Sequence, residues 1–298
     1  MSQGCPLSKK AKSWQFDSVF GHIMKIIQNL VFSLIRRLKY KPFVYAFNFY
    51  IRFLTYDKFK LRAKYLGNNT YYLTDNASEI YLQEPFRFIS FLTSIKFRLE
   101  KLADEYFLQD INLKNNDTVL DCGANVGEFY LCLTNIVNDI NYISFEPSEL
   151  DFKILNLNAP NGQNNKIALS DINDSTMLFV NTKKADSSIN YIPNSTHTEK
   201  VKICRLDTFL VEDQNRIALL KLEAEGHELE VLKGSINTLK RIDFISADLG
   251  SEKYNETEKI FENTFEETNL FLMDNNFELI KKNKYRDTYL YRNKSFEI

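Results

Sequence analysis

The stretch TVLDCGANVGEFYL, residues 118–131, decides the fold. Thr118 to Leu120 read as a buried strand that ends on the acid Asp121. Gly123 and Gly127 bracket a tight turn, and an amphipathic helix follows. Glycine serves where a backbone turns sharply or approaches a ligand closely. A strand, a glycine turn and a helix in this order form the opening unit of a parallel α/β sheet. Outward from it, apolar runs with strand character recur at 141–145, 164–168, 217–223 and 243–248. Helical patterns lie between and after them, at 126–137, 148–157, 227–239 and 256–273. The runs 277–280 and 288–291, around an Asn/Lys-rich turn, predict a terminal antiparallel hairpin. The expected fold class is therefore α/β, a Rossmann-like mixed sheet closed by that hairpin.

Two acids frame the crevice that such a sheet opens at the carboxyl ends of its strands. A dinucleotide site places a third glycine in the loop to admit a pyrophosphate; here that position is Asn125. Asp121 would repel a phosphate and attract a cation, such as the α-ammonium of S-adenosylmethionine. The second strand ends in Glu146-Pro147, 25 residues beyond Asp121. A carboxylate there suits the two hydroxyls of an adenosine ribose; as a plain helix cap it would compete with Ser148. Ser170 and Asp171, after the third strand, either hydrogen-bond an adenine edge or form an ordinary polar turn.

A second crowded segment is IALLKLEAEGHELEVLKGS, residues 217–235. Lys221, Glu223, Glu225 and His227 gather at the exit of an apolar strand. Charges there cost desolvation energy unless they are paired or used. Lys221 and Glu223 alternate onto one strand face and make an ion pair under the plainer reading. Glu225 and His227 are the candidates for a general base, with His227 facing solvent as the plainer alternative. Glu223, Glu225 and Asp248 make only a weak metal signal, because their spacing is not fixed; no metal is expected.

The segments VLDCGANVGEFYL, FEPSE, KIALSD, RLDTFL and LLKLEAEGHELEVLKGS, in that order over residues 105–295, resemble the FkbM-type methyltransferase family. The last segment matches the family's K-I-D-x-E-G-x-E, with Glu223 standing where the family usually has Asp. The resemblance implies a class I methyltransferase fold, S-adenosylmethionine as donor, and O-methylation of a sugar, polyketide or other small hydroxyl-bearing or glycan acceptor. Asp121, Gly123, Asn125, Gly127 and Glu146 would hold the cofactor, and Glu223, Glu225 and His227 would line the methyl-transfer end. An NAD- or nucleotide-sugar-binding oxidoreductase and a non-catalytic membrane-surface adaptor are the rival functions.

Three parts are expected along the chain: a basic helical arm over 1–60, short strands and a helix over 61–110, and the methyltransferase domain over 111–298. Residues 1–18 are polar and read as disordered. The arm contains eleven Lys or Arg and two Asp, near +9, whereas the remainder is near −10. From 19 to 54 the apolar residues have helical spacing, which Pro42 should break into two helices. That face either packs on the body or makes peripheral membrane contact. The acidic body argues against a nucleic-acid partner. No run of about 18 uncharged apolar residues is present, so a membrane span is not expected. Cys5, Cys122, Cys132 and Cys204 form no paired motif, which suits a reducing, cytoplasmic setting. Hydrophobic content of 44% predicts a globular body with a sizeable core.

Overall fold

The computed structural model describes residues 30–54, 60–181, 186–193, 195–213, 215–255, 257–258 and 260–296. The expected disorder of 1–18 and the arm's first helical turns, 19–29, lie outside the described residues.

The centre is a seven-stranded sheet in the order β15-β16-β12-β11-β4-β5-β6. Its members are β4 (Thr118–Cys122), β5 (Asn141–Phe145), β6 (Gln163–Asn165), β11 (Ile217–Leu222), β12 (Ile242–Asp248), β15 (Phe277–Lys282) and β16 (Thr288–Asn293). Five strands run parallel, and β16 enters antiparallel beside β12. This is the mixed sheet of class I methyltransferases expected from the sequence. Central strands covered on both faces are mostly apolar, with their polar residues toward the ends, and every residue of β4 is buried. Their alternate side chains feed two cores. Val119, Leu219 and Phe244 pack on one side, and Leu120, Leu220 and Ile245 on the other. The strand order reverses between β4 and β11, so the crevice at this switch point lies beyond Asp121 and Leu222.

Helix α3 (Glu128–Thr134) follows β4, and α4 (Glu149–Asn158) follows β5. Upstream, α1 (Tyr40–Leu54) covers a three-stranded sheet of β1 (Arg62–Gly67), β2 (Thr70–Thr74) and β3 (Glu79–Gln83). The Asn48 amide pairs with both backbone groups of Ala63, at 2.8 and 2.9 Å, and fastens α1 to β1. Asn158 does the same between α4 and Tyr81, and also donates to Val126 O at 2.6 Å. One amide thus ties the upstream sheet to the glycine loop. Helix α2 (Ile95–Glu105), capped by Ser94, then leads into the core.

Among its described residues the arm is two helical pieces, as expected, but the break falls at 36–39 and Pro42 sits in the first turn of the second, where its missing N–H costs nothing. Residues 85–91 form a 3-10 turn ahead of α2, so the helix expected within 61–110 is confined to α2. Two other expectations are corrected. The third strand ends at Asn165, and β7 (Ala168–Leu169) joins a second sheet with β10 (His197–Cys204), β8 (Asp174–Asn181) and β9 (Asp186–Ser188). Residues 257–258 and 260–263, expected in a helix, are turn and strand. β13 (Ser251–Asn255) and β14 (Ile260–Asn263) form a hairpin, in whose turn Asn255 Oδ1 accepts from the backbone N–H of Thr257 and Glu258 at 3.0 Å each. That local bond competes with helix formation, and the helix there starts only at Phe265 (Phe265–Asp274).

Candidate active site

The loop after β4 is shaped by the exit of β11 beside it. Gly123 has φ +75°, and a Cβ there would lie 1.9 Å from the backbone oxygen of Glu223. No side chain fits. Asn125 also takes a left-handed conformation, φ 51°, which turns its N–H toward Glu146 Oε2 at 2.7 Å. The other oxygen, Glu146 Oε1, accepts from Ser148 N at 2.9 Å. Glu146 is buried, and burial together with the nearby Asp151 charge pushes its carboxyl up to about 8, against the two amide bonds. It borders a cavity whose other walls include Gly123, Phe145, Leu169 and Ala224. Apolar walls on the β5 side, with the Glu146 carboxylate among them, fit an adenosine with the acid toward the ribose, while Glu223, Glu225 and His227 line the opposite side.

A second cavity adjoins the first and shares Gly123, Asn125, Glu223 and Glu225 with it. Its remaining lining is more polar and includes Arg98, Tyr106, Lys221 and Arg286. Glu223 and Glu225 therefore stand on the wall between the two spaces. Glu225, φ 50°, and Gly226, φ 88°, are successive left-handed residues. Glu228, fully buried, holds them with Oε1, which accepts from Ala224 N at 2.8 Å and Gly226 N at 3.1 Å. Burial pushes the Glu228 carboxyl up to about 7.

Beneath the loop runs a chain of charges. Lys221 Nζ lies 3.1 Å from Asp121, 3.0 Å from Glu223, and donates to Gly123 O at 2.6 Å. Burial opposes the Lys221 charge, but Asp121 and Glu223 outweigh it and raise the ammonium pKa. Arg286 donates to Asp248 at 2.5 Å and to Glu105 at 3.3 Å, and also bonds Glu223. Burial pushes Glu223 up, but Lys221 and Arg286 prevail and hold it well below the usual carboxylate range. The longer Glu side chain, where Asp is usual, lets one carboxylate bridge Lys221 with Oε2 and Arg286 with Oε1. Arg286 also stands between Glu223 and Asp248, and among the described residues no His, Cys, Asp and Glu group has metal-holding geometry.

The sequence candidates are thus distributed unevenly. Gly123, Asn125, Glu146, Glu223, Glu225 and His227 line the first cavity. Asp121 lines neither: it is fully buried, ion-paired to Lys221, and accepts from the Tyr142 hydroxyl at 2.5 Å. Gly127 is the left-handed N-cap of α3, packed on Leu155 and Asn158. Ser170 and Asp171 stand behind His227, with Ser170 Oγ 3.0 Å from His227 Nε2 and 3.2 Å from Asp171. His227 does not border the second cavity, and burial lowers its pKa.

The Methyltransferase FkbM domain matches residues 121–282, more than half of the chain. The chain belongs to the FkbM methyltransferase family. S-adenosylmethionine is accordingly its methyl donor, and the oxidoreductase reading falls away. Among solved structures, the FkbM methyltransferase of Methylobacillus flagellatus KT is 14% identical, with TM-score 0.42. That alignment covers 61% of this chain and 44% of the other, so this chain spans less than half of that relative's length. Magnesium protoporphyrin IX methyltransferase from Synechocystis PCC 6803, with bound S-adenosylmethionine, is 9% identical over 65% of this chain and 76% of that one, with TM-score 0.37. No curated protein matches the sequence. Both TM-scores are below 0.5, and the family assignment rests on the sequence match. Several groups of the second cavity lie outside the FkbM match: Arg98, Tyr106 and Arg286 flank it on either side. Sequence reading missed these three, and Tyr142 and Glu228 besides. Only Glu228 carried a local signal, as the last acid of the E-G-x-E pattern.

Proposed function

We propose that this FkbM methyltransferase methylates a hydroxyl of a small-molecule or glycan acceptor, bound in the second cavity, with Glu225 as general base. The carrying observation is that Glu223 and Glu225 form the wall common to both cavities. S-adenosylmethionine, when bound, supplies an electrophilic methyl group. Glu146 fits the ribose, because its carboxylate is buried on the apolar side and keeps acceptor capacity beyond its two amide bonds. Glu223 is fixed by two cations and serves to orient and to keep the junction anionic. Glu225, held by the Glu228-pinned loop, takes the acceptor proton. An alcohol is a weak nucleophile, so alignment and a positioned base each contribute, the base about 10²–10⁴-fold. His227 is the poorer candidate, being confined to the first cavity and engaged with Ser170.

The test is single-turnover methyl transfer from labelled S-adenosylmethionine across a panel of free and nucleotide-linked sugars. Glu225→Gln should slow transfer about 10²–10⁴-fold, while S-adenosylhomocysteine affinity stays within a few-fold of wild type. Label recovered on nitrogen would refute the hydroxyl acceptor. A Glu225→Gln rate within a few-fold of wild type would remove the base.

A further inference from the structure

Helix α1 has two apolar faces, and the body needs only one of them. Phe43, Phe47 and Tyr50 are buried; the first two pack edge-on against Phe88 at 4.9 and 5.0 Å. On the opposite side Tyr45, Phe49 and Phe53 recur every fourth residue and are 73%, 59% and 61% exposed. Before the break at 36–39, Leu30 and Leu34 are each 62% exposed. Large aromatics in solvent at helical spacing form a contiguous apolar patch, the usual mark of an interaction surface.

Charge says what covers it. The exposed cations Arg37, Lys39, Lys41 and Arg52 flank the patch. By helical position Lys41 and Arg52 share the solvent face with Tyr45, and no Asp or Glu occurs between residues 18 and 56. A stripe of Tyr and Phe edged by Lys and Arg, on a helix lying flat against its own domain, matches the headgroup boundary of an anionic bilayer. Aromatic rings settle at that depth while long basic side chains reach the lipid phosphates. Among the described residues no helix is long and apolar enough to cross a membrane.

We propose that the solvent face of α1 docks the protein on an anionic lipid surface. The docking helix and the acceptor side of the cleft are mechanically continuous. Phe88, on which α1 packs, adjoins Arg87, which lines the second cavity and pairs with Asp151 at 2.6 Å. Docking therefore sets the orientation of that cavity relative to the lipid plane.

The test is co-sedimentation of the full chain with vesicles of phosphatidylcholine alone or mixed with phosphatidylglycerol. Wild type should pellet with the mixed vesicles only, and rising salt should release it. Tyr45→Ser/Phe49→Ser/Phe53→Ser alters exposed positions, so the fold should hold, as checked by circular dichroism. Its partitioning should fall at least about tenfold. Lys41→Glu/Arg52→Glu, a second and independent variant, should fall by a similar factor, because each basic group near the surface contributes about fivefold. Wild type left in the supernatant with mixed vesicles overturns the proposal, as do variants that bind like wild type. A concentration-dependent dimer that the triple variant loses would make this face a contact between copies of the chain, and would overturn it equally.

Discussion

The two halves of the cleft each present a glutamate at a strand end, one buried and one half-buried, and the two are in opposite electrical states. Glu146, at the end of β5, has backbone amides as its hydrogen-bonding partners, and burial raises its carboxyl to about 8. Glu223, at the end of β11, touches Lys221 and Arg286 and stays ionised far below neutral pH. The residue type is the same, and although Glu223 keeps 23% of its side chain exposed, what sets the two apart is the supply of cations. A carboxylate near its titration point suits neutral hydroxyls, which both stabilise its charge and are held by it. A permanently charged one suits fixed alignment beside a reacting centre.

The comparison breaks most severely at Lys221. This ammonium lies between Asp121 and Glu223 and is almost wholly enclosed. Lys221→Met leaves Asp121 buried with the Tyr142 hydroxyl but without its cation. Removing one partner of a buried ion pair typically costs about 3–5 kcal/mol. Urea unfolding should show a loss of that size, and Lys221→Met/Asp121→Asn should recover much of it. A loss below about 1 kcal/mol would mean that the charge chain contributes little to stability. The second half of the cleft would then resemble the first.

How far the sequence discloses this asymmetry depends on the reach of each interaction. Gly123, Asn125 and Glu146 were legible because the turn is local and the second acid stands at a strand end one unit later. The parallel strands were legible because β4 and β11 are apolar up to Asp121 and Lys221 near their carboxyl ends. Asp121 reads as a cofactor partner in the sequence, and its ion pair with Lys221 depends on the register that sets the two opposite each other across β4 and β11. Position in the chain gives no sign of that register. Arg286 sits in an Asn/Lys-rich turn that looks like ordinary solvent-exposed loop, and only closure of the β15–β16 hairpin carries it to Glu223. The sheet over 168–204 escaped notice because β8 and β10 are exposed along one half and buried only toward their ends. Their apolar alternation is too short to signal a strand. The hairpin at 251–263 was lost to the helical spacing of its apolar residues, which the Asn255 turn overrides.

A smaller effect is expected at Glu146. If it holds the ribose, Glu146→Ala should weaken S-adenosylhomocysteine binding by about 1–3 kcal/mol, the usual loss for an unpaired buried polar group. Titration calorimetry reads this directly. Glu223→Gln should change cofactor affinity less, because its partners are Lys221 and Arg286. Equal losses in the two variants would erase the functional distinction between the halves, and an unchanged dissociation constant for Glu146→Ala would remove the ribose assignment.

The sharpest form of the comparison is a pH dependence. In the free protein Glu146 titrates near pH 8, above its ordinary carboxyl value of 4.5. The folded state therefore keeps a proton that the unfolded chain releases above about pH 4.5. The stability this proton confers is fully present below pH 4.5 and is lost as pH rises through about 8. Ligand binding has the opposite sign, because ribose hydroxyls donate to the carboxylate and favour its charged form. Affinity should rise with pH and level off above about 8, and binding near pH 7 should release close to one proton. With about one molecule in ten ionised at pH 7, affinity there should be about tenfold weaker than at pH 9. The suitable probe is methylthioadenosine, which has the nucleoside but no amino-acid group titrating in this range. Calorimetry in two buffers of different ionisation enthalpy counts the released protons. Glu146→Gln should flatten the profile, whereas Glu223→Gln should leave it in place because Glu223 is ionised throughout the window. A wild-type profile that is flat from pH 6 to 9, with no proton released, would show that the ribose does not meet Glu146 and that the two glutamates do not divide the cleft as their surroundings imply.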